Sequence, residues 1–323
     1  MRGILPRLHD EGITQLKETA MAASAIAKYS DELAAAAAQA GTSIVTVFAR
    51  RRIPSSGIYW RDGVVVTADH TIRREDEIKV LLPDGKRVAG QLAGRDPGTD
   101  LAVLKLESGK TQVPQFGDPA QLKLANFVLA LGRTRSGSLV ASAGIIGGLG
   151  GEWRTWRGGR IDQSIRLDLE LYPGFSGGPL VSVEGKVLGV NTNGLGRGRA
   201  VTIPVATVNR TVDELLEKGY IARPYLGVAL QPVAIPENLR GKLKSSPAGG
   251  LMVLHVELGG PAEKAGIVLG DTIVELAGKL ALDTENVREL LASAKIADSI
   301  SATVLRAGAP VELSIKLSER PAR

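Results

Sequence analysis

From Gly41 to about residue 204, short apolar runs alternate with turn residues. Runs at 44–48, 64–67, 78–82, 88–93 and 101–106 are rich in β-branched side chains and too short for helices. Further runs stand at 127–131, 179–183, 187–192 and 200–203. Asp62-Gly63, Asp84-Gly85 and Glu184-Gly185 fall between runs as tight-turn signals. Many short strands with glycine punctuation and no helices between them predict an antiparallel barrel or sandwich. A helical stretch at 208–218 closes this region.

The two ends differ in texture. Residues 14–40 have helical character, with Ser30 as the expected N-cap of an alanine-rich run that stops at Gly41. Beyond Tyr225, a strand at 251–256 leads to Pro261-Ala262-Glu263-Lys264-Ala265-Gly266, a short helix ended by glycine. An amphipathic helix follows, capped by Asp283 or Thr284 and carrying Val287, Leu290 and Leu291 on one face. Strands at 300–305 and 311–317 pair around Gly308, while 236–238 and 245–250 read as loops. The division is a helical segment at 1–40, a β domain at 41–220 and a small α+β domain at 221–323.

Composition narrows the chemistry. The 323 residues include no cysteine and three histidines: His9, His70 and His255. A cysteine nucleophile, a disulfide framework and a thiolate zinc site are thereby excluded. A three-histidine metal site would need all three scattered residues, so neither a metal nor a cofactor is expected. The net charge of +6 lies mostly in residues 1–220, with 28 Lys+Arg against 23 Asp+Glu. Basic clusters at Arg50-Arg51-Arg52 and at 153–160 are interspersed with acids elsewhere, which favours a solvated basic surface over a nucleic-acid groove. No window approaches the length of a membrane span. The charged N-terminus does not read as a signal peptide, so the expectation is a cytoplasmic protein, or a periplasmic one whose export signal is missing from this chain.

One segment points to catalysis. In Tyr172-Pro173-Gly174-Phe175-Ser176-Gly177-Gly178-Pro179 a serine stands in a glycine-rich turn before a strand. There the Gly174 and Ser176 N–H groups can converge as donors to a developing oxyanion. A serine hydroxyl needs a base. His70 ends a strand, whereas His9 lies in a charged terminal segment and His255 inside an apolar strand. Asp100 leads into the apolar Leu101-Ala102-Val103-Leu104 and is placed to orient an imidazole.

The order His70, Asp100, Ser176 is that of the chymotrypsin-type triad. Val65-Val66-Thr67-Ala68-Asp69-His70, the run Gly94-Arg95-Asp96-Pro97-Gly98-Thr99-Asp100-Leu101, Asp168 with the 173–180 run, and Leu188-Gly189-Val190-Asn191-Thr192 resemble the HtrA family of trypsin-like serine proteases. The resemblance covers roughly residues 30–320. It implies a mainly β fold, a chymotrypsin-like pair of six-stranded barrels followed by a PDZ domain. It further implies Ser176 as nucleophile, His70 as base, Asp100 as its orienting acid, and an oxyanion hole at Gly174 and Ser176. The family usually has Asn where Phe175 stands and an Asn-Pro loop where Leu131-Gly132-Arg133-Thr134-Arg135-Ser136 stands. No Asp directly precedes Ser176, so activation by a new N-terminus is not expected.

Glu170, six residues before Ser176, is either the floor of a pocket for basic side chains or a solvent-facing residue; the small aliphatic preference of the family favours the latter. Val190, Asn191 and Thr192 complete the tentative pocket. Tyr225-Leu226-Gly227-Val228 resembles the carboxylate-binding loop of PDZ domains, with amides at Leu226 and Gly227 capturing a C-terminus beside a following strand. The facing wall is the helix bearing Asn286, Val287, Leu290 and Leu291, where Val287 and Leu290 serve equally well as core. The chain is expected to act on unfolded polypeptides and to bind C-terminal peptides. It is expected to need no ATP, since no Gly-x-x-x-x-Gly-Lys-Ser motif occurs, and to form trimers as the family does. The competing reading is a catalytically silent chaperone-like or scaffold protein.

Overall fold

The computed structural model describes residues 8–196 and 199–319, with side chains for 24–196 and 200–319. Contacts divide the chain into two units, Met1–Ile221 and Ala222–Arg323. In the first, helix α1 (Leu8–Gly41) runs without a break through Ser30. The N-cap expected at Ser30 is therefore absent. An interior serine costs a few tenths of a kcal/mol, less than a break between alanine-rich flanks. Nor is this helix set apart, because Ala36 and Ala40 are buried in the core of the unit. Its last carbonyls are capped by Thr42 Oγ1 on Gln39 O at 2.7 Å and Ser43 Oγ on Ala40 O at 2.8 Å.

Six strands follow: β1 (Ile44–Phe48), β2 (Ser55–Arg61), β3 (Val64–Ala68), β4 (Ile78–Leu81), β5 (Arg87–Asp96) and β6 (Leu101–Leu106). They close a barrel in the order β1-β2-β3-β6-β5-β4. Next come β7 (Phe127–Arg133), β8 (Leu139–Gly150), a small hairpin of β9 (Trp153–Arg154) and β10 (Arg160–Ile161), then β11 (Ser164–Asp168), β12 (Pro179–Ser182), β13 (Val187–Gly196) and β14 (Arg199–Pro204). Apart from the hairpin they close a second barrel, β11-β14-β13-β12-β7-β8. Of the barrel strands β2, β8 and β11 are not among the expected runs: serine and glycine interrupt the apolar pattern of β2 and β8, and β11 alternates apolar and charged residues without a continuous apolar run.

Val45, Val47, Tyr59, Val65, Val80 and Leu104 belong to the core of the first barrel. A larger cluster joins Ile44, Ile58 and Trp60 of the first barrel to Leu131, Val181 and Val190 of the second, so the barrels pack as one body. Helix α2 (Val205–Lys218) lays Val208, Val212 and Leu215 on this cluster and ends at Gly219 in the left-handed region.

The second unit holds β15 (Pro224–Tyr225), β16 (Val228–Ala234), α3 (Glu237–Arg240), β17 (Gly249–Val256), α4 (Pro261–Lys264), β18 (Thr272–Leu276), β19 (Lys279–Leu280), α5 (Thr284–Ser293), β20 (Ser299–Arg306), β21 (Ala309–Lys316) and β22 (Ser318–Glu319). The main sheet runs β16-β17-β18-β20-β21, and β15 pairs with β22. One turn of helix, α3, stands where the sequence reads as loop.

Asp271 staples this sheet. Its buried carboxylate accepts from Arg306 Nε and Nη2, each at 2.8 Å, and from the Val268 N–H at 2.9 Å. Burial alone pushes the carboxyl up, but these donors outweigh it and hold it below its ordinary value. A depressed folded value stabilises above the unfolded pKa and is lost as pH falls through the folded one. Asp271→Asn is therefore expected to cost about 1–3 kcal/mol at pH 7. The gap to wild type should close below about pH 4 in urea unfolding of the full chain; an equal gap at pH 3 and pH 7 contradicts this account.

Candidate active site

The acidic member is placed by local chemistry. Buried Asp96 accepts from the Gly98 N–H at 2.9 Å, the Thr99 N–H at 3.0 Å and Thr99 Oγ1 at 2.7 Å. This turns the chain tightly ahead of β6 and leaves Asp100 at φ 58, a conformation rare for a residue with a Cβ. Asp100 itself is buried. Its Oδ1 accepts the His70 N–H at 2.9 Å, and Oδ2 lies 2.8 Å from His70 Nδ1. Thr192 Oγ1 also donates to Oδ2 and in turn accepts the Gly194 N–H at 2.8 Å.

His70 sits in a single 3₁₀ turn, Asp69–Thr71, directly after β3. That turn is anchored by Arg95, whose Nε donates to Asp69 Oδ1 at 2.5 Å and whose Nη1 donates to Glu75 Oε1 at 2.8 Å. Burial pushes the Asp69 carboxyl up, and Arg95 opposes this only in part. The imidazole remains partly exposed, with its side chain at 30%. His255, read as an interior strand residue, is instead exposed and lies 3.4 Å from Glu257. The side chain of His9 is outside the described residues.

The serine loop is held from three directions. Ser56 donates to the Gly174 carbonyl twice, from N at 2.9 Å and from Oγ at 2.8 Å. Gly177 N donates to Asn191 O at 2.9 Å, and Asn191 N to Gly178 O at 2.8 Å. Phe175 is buried beside Ala130 and Leu171 and meets Tyr172 edge-on at 5.6 Å. This aromatic ring thus ties the loop to the second barrel. A Cβ on Gly177 would meet Thr67 Oγ1 at 2.4 Å and Ala68 N at 2.9 Å, which places the serine loop against the strand leading to His70.

Among the described residues, neither the Gly174 nor the Ser176 N–H donates to another backbone group, so both stay available to a ligand. No hydrogen bond joins Ser176 Oγ to His70 among those residues; such links are often open until substrate binds.

The tentative pocket residues fall elsewhere. Glu170 is exposed: alternation beyond β11 turns Leu169 and Leu171 inward and Glu170 outward, so the buried-carboxylate floor is not formed. Asn191 is buried, with Nδ2 on Pro179 O at 2.8 Å and Oδ1 accepting from Thr202 Oγ1 at 2.8 Å. Its polar atoms thus hold the barrel and do not line a pocket. Val190 is core, and Thr192 serves Asp100. Sequence reasoning missed the parts played by Ser56, Thr192 and Gly194. Their residue types do not mark these parts, since Ser56 meets Gly174, and Thr192 and Gly194 meet Asp100, from far away in the chain.

In the second unit Leu226 is buried, Gly227 has φ 79, and neither amide donates to another backbone group among the described residues. Val228 opens β16, which pairs with β17. Val287 is core, with Leu290 and Leu291 packed against it. Asn286 is not a groove residue. Its Oδ1 accepts from Leu282 N at 3.1 Å and Asp283 N at 3.2 Å, completing the cap of α5 with Asp283. No described helix is long and apolar enough to cross a membrane. Among the described residues no group of His, Asp and Glu is arranged to hold a metal ion.

Known proteins resemble this chain over most of its length. Residues 55–190 match the family of the trypsin-like peptidase domain, and residues 224–317 match the PDZ domain. A "Serine protease Do-like HtrA" of Lactobacillus helveticus is 38% identical over 271 residues, covering 79% of this chain and 65% of its own length. A "Probable periplasmic serine endoprotease DegP-like" of Bartonella henselae is 34% identical over 266 residues, covering 80% of this chain and 52% of its own. The chain thus spans about half to two thirds of the length of these curated relatives. The solved serine endoprotease from Yersinia pestis superposes with TM-score 0.65 at 26% identity, covering 88% of this chain and 97% of that one. The structure described as "HtrA-type protease AlgW with decapeptide" superposes with TM-score 0.65 at 25% identity, covering 90% and 99%. The cytoplasmic expectation finds no support here, since the relatives named by compartment are called periplasmic.

Proposed function

Since the chain belongs to the trypsin-like peptidases of HtrA type, with a PDZ domain after the peptidase domain, we propose that it is a serine endopeptidase acting through Ser176, His70 and Asp100. The observation that carries this reading is the buried Asp100 carboxylate bonded to His70 Nδ1, beside a serine flanked by two undonated amides. Asp100 keeps the proton on Nδ1 and leaves Nε2 as the acceptor. As Ser176 Oγ bonds to the scissile carbonyl carbon, its proton passes to Nε2 and the π electrons move to the carbonyl oxygen. The Gly174 and Ser176 N–H groups meet that oxygen, where one such donor is worth roughly 3–4 kcal/mol. Collapse of the intermediate expels the amine, which takes the proton from His70, and water then frees the acyl group by the same route.

The PDZ domain takes C-terminal peptides in this reading, with the Leu226 and Gly227 amides on the terminal carboxylate and β16 as the pairing strand. ATP independence, unfolded polypeptides as substrates and assembly into trimers belong to the same proposal and rest on the family resemblance, while a periplasmic location is supported by the names of the DegP-like relatives. The test is a fluorophosphonate probe with casein hydrolysis alongside. Wild type is expected to carry one label, on Ser176, and Ser176→Ala none, with hydrolysis lost in step. Equal hydrolysis by both proteins removes the mechanism. No label and no hydrolysis in wild type, with C-terminal peptide supplied, leaves the scaffold reading in its place.

A further inference from the structure

We infer that an arginine face beside the oxyanion loop selects acidic residues close to the scissile bond; this rests on the protease reading above. After β1 the chain runs Arg50-Arg51-Arg52-Ile53-Pro54 into β2. Pro54 O lies 3.3 Å, and Ile53 Cγ2 3.9 Å, from where a Cβ on Gly174 would stand. The segment thus borders the site of the developing oxyanion. Arg52 and Arg51 are one and two residues further back, a reach of about 4–7 Å, and both are exposed.

The segment is braced, not loose. Arg50 Nε donates to Ile53 O, and Arg135 Nη2 donates to Arg51 O at 3.2 Å and to Arg52 O. Arg135 and Arg87 both stand over the Phe48 ring, at 5.9 and 5.0 Å. Burial, with repulsion from Arg73, lowers the proton affinity of Arg50, as expected where positive charge gathers without a counter-charge.

Among the described residues none of Arg50, Arg51, Arg52, Arg73, Arg87 and Arg135 forms an ion pair, although most other described ion pairs in the chain do use arginine. Glu75 is bonded to Arg95, and Asp76 and Glu77 form no ion pair among the described residues. Arg51 and Arg52, exposed and without an ion pair among the described residues, follow back from the Ile53-Pro54 edge of the serine loop and, with Arg50 and Arg135 bracing their segment, fit an extended substrate carrying Asp or Glu two to four residues from the scissile bond, at roughly 3.3 Å per residue.

The experiment uses fluorescent peptides sharing one Ala-Val-Ala core. Asp-Glu-Asp or Ser-Gln-Ser stands on one side or the other of that core. Binding to the Ser176→Ala protein is read by anisotropy, and cleavage is read with wild type. One acidic arrangement is expected to bind and be cleaved about tenfold better than its neutral counterpart. The ratio should fall toward one in about 0.5 M salt and in the Arg51→Gln/Arg52→Gln protein. Equal binding of acidic and neutral peptides overturns the inference, as does a preference that survives both salt and the double substitution. An anionic oligonucleotide that binds far tighter than any peptide and displaces it also overturns it, making the face a nucleic-acid surface. Failure of wild type to cleave any peptide removes the protease reading and leaves the binding ratio to decide the arginine face.

Discussion

Asp100→Asn is expected to leave the fold intact and to lower kcat at pH 7 by about four orders of magnitude. Both carboxylate oxygens are committed, Oδ1 to the His70 N–H and Oδ2 to His70 Nδ1 and Thr192. An asparagine oxygen at the first position puts the NH₂ group against Nδ1. That nitrogen then accepts, the imidazole proton moves to Nε2, and the base that Ser176 needs is gone. Thr192, still obliged to accept the Gly194 N–H, also loses its acceptor. The side chain is nearly isosteric, so the thermal midpoint should move far less than the rate. The measurement is peptide hydrolysis by purified wild type and variant, with unfolding followed in parallel. A loss below tenfold means that Asp100 does not set the tautomer.

Gly194→Ala is expected to lower kcat/KM by roughly a hundredfold or more with little change in stability. A Cβ there would stand 2.4 Å from Asp100 Oδ2 and 2.8 Å from His70 Nδ1. Neither neighbour can yield cheaply, because the carboxylate is pinned by Thr192 and by the His70 amide. The glycine is exposed on its other side, so the barrel can relax outward without unfolding. What moves is the imidazole, and a shift near 1 Å costs about two orders of magnitude in a positioned reaction. Activity within threefold of wild type would place the dyad under less constraint than the geometry indicates.

Much of this arrangement is legible along the chain. The β-branched runs become strands because period-two patterning and short length suit a closed sheet. Asp62-Gly63, Asp84-Gly85 and Glu184-Gly185 turn because glycine takes positive φ without strain, as Gly63, Gly85 and Gly185 do. Strands that open on serine or carry repeated glycines, β2 and β8, leave no such pattern, and they form because neighbouring strands pair with them on both sides. The helix that runs through Ser30 shows the opposite case, in which a local stop signal yields to its flanks.

The candidates His70, Asp100 and Ser176 could be named from sequence, because each stands in a local motif whose residue types are suited to the proposed chemistry. How they are held could not. Thr192 meets Asp100 across 92 positions, and Ser56 meets Gly174 across 118. A serine or threonine in a strand looks the same whether its hydroxyl meets solvent or a buried carboxylate. The outward turn of Glu170, the capture of Asn191 by the barrel and the approach of the Ile53-Pro54 segment to Gly174 are likewise decided by which strands closure brings together. Most of the strand periods, the turns and the candidate reactive groups depend on neighbours a few residues away and are legible along the chain. Which side chains hold those groups is set by barrel closure, since hydrogen bonds and close contacts depend on distance in space and not on separation along the chain.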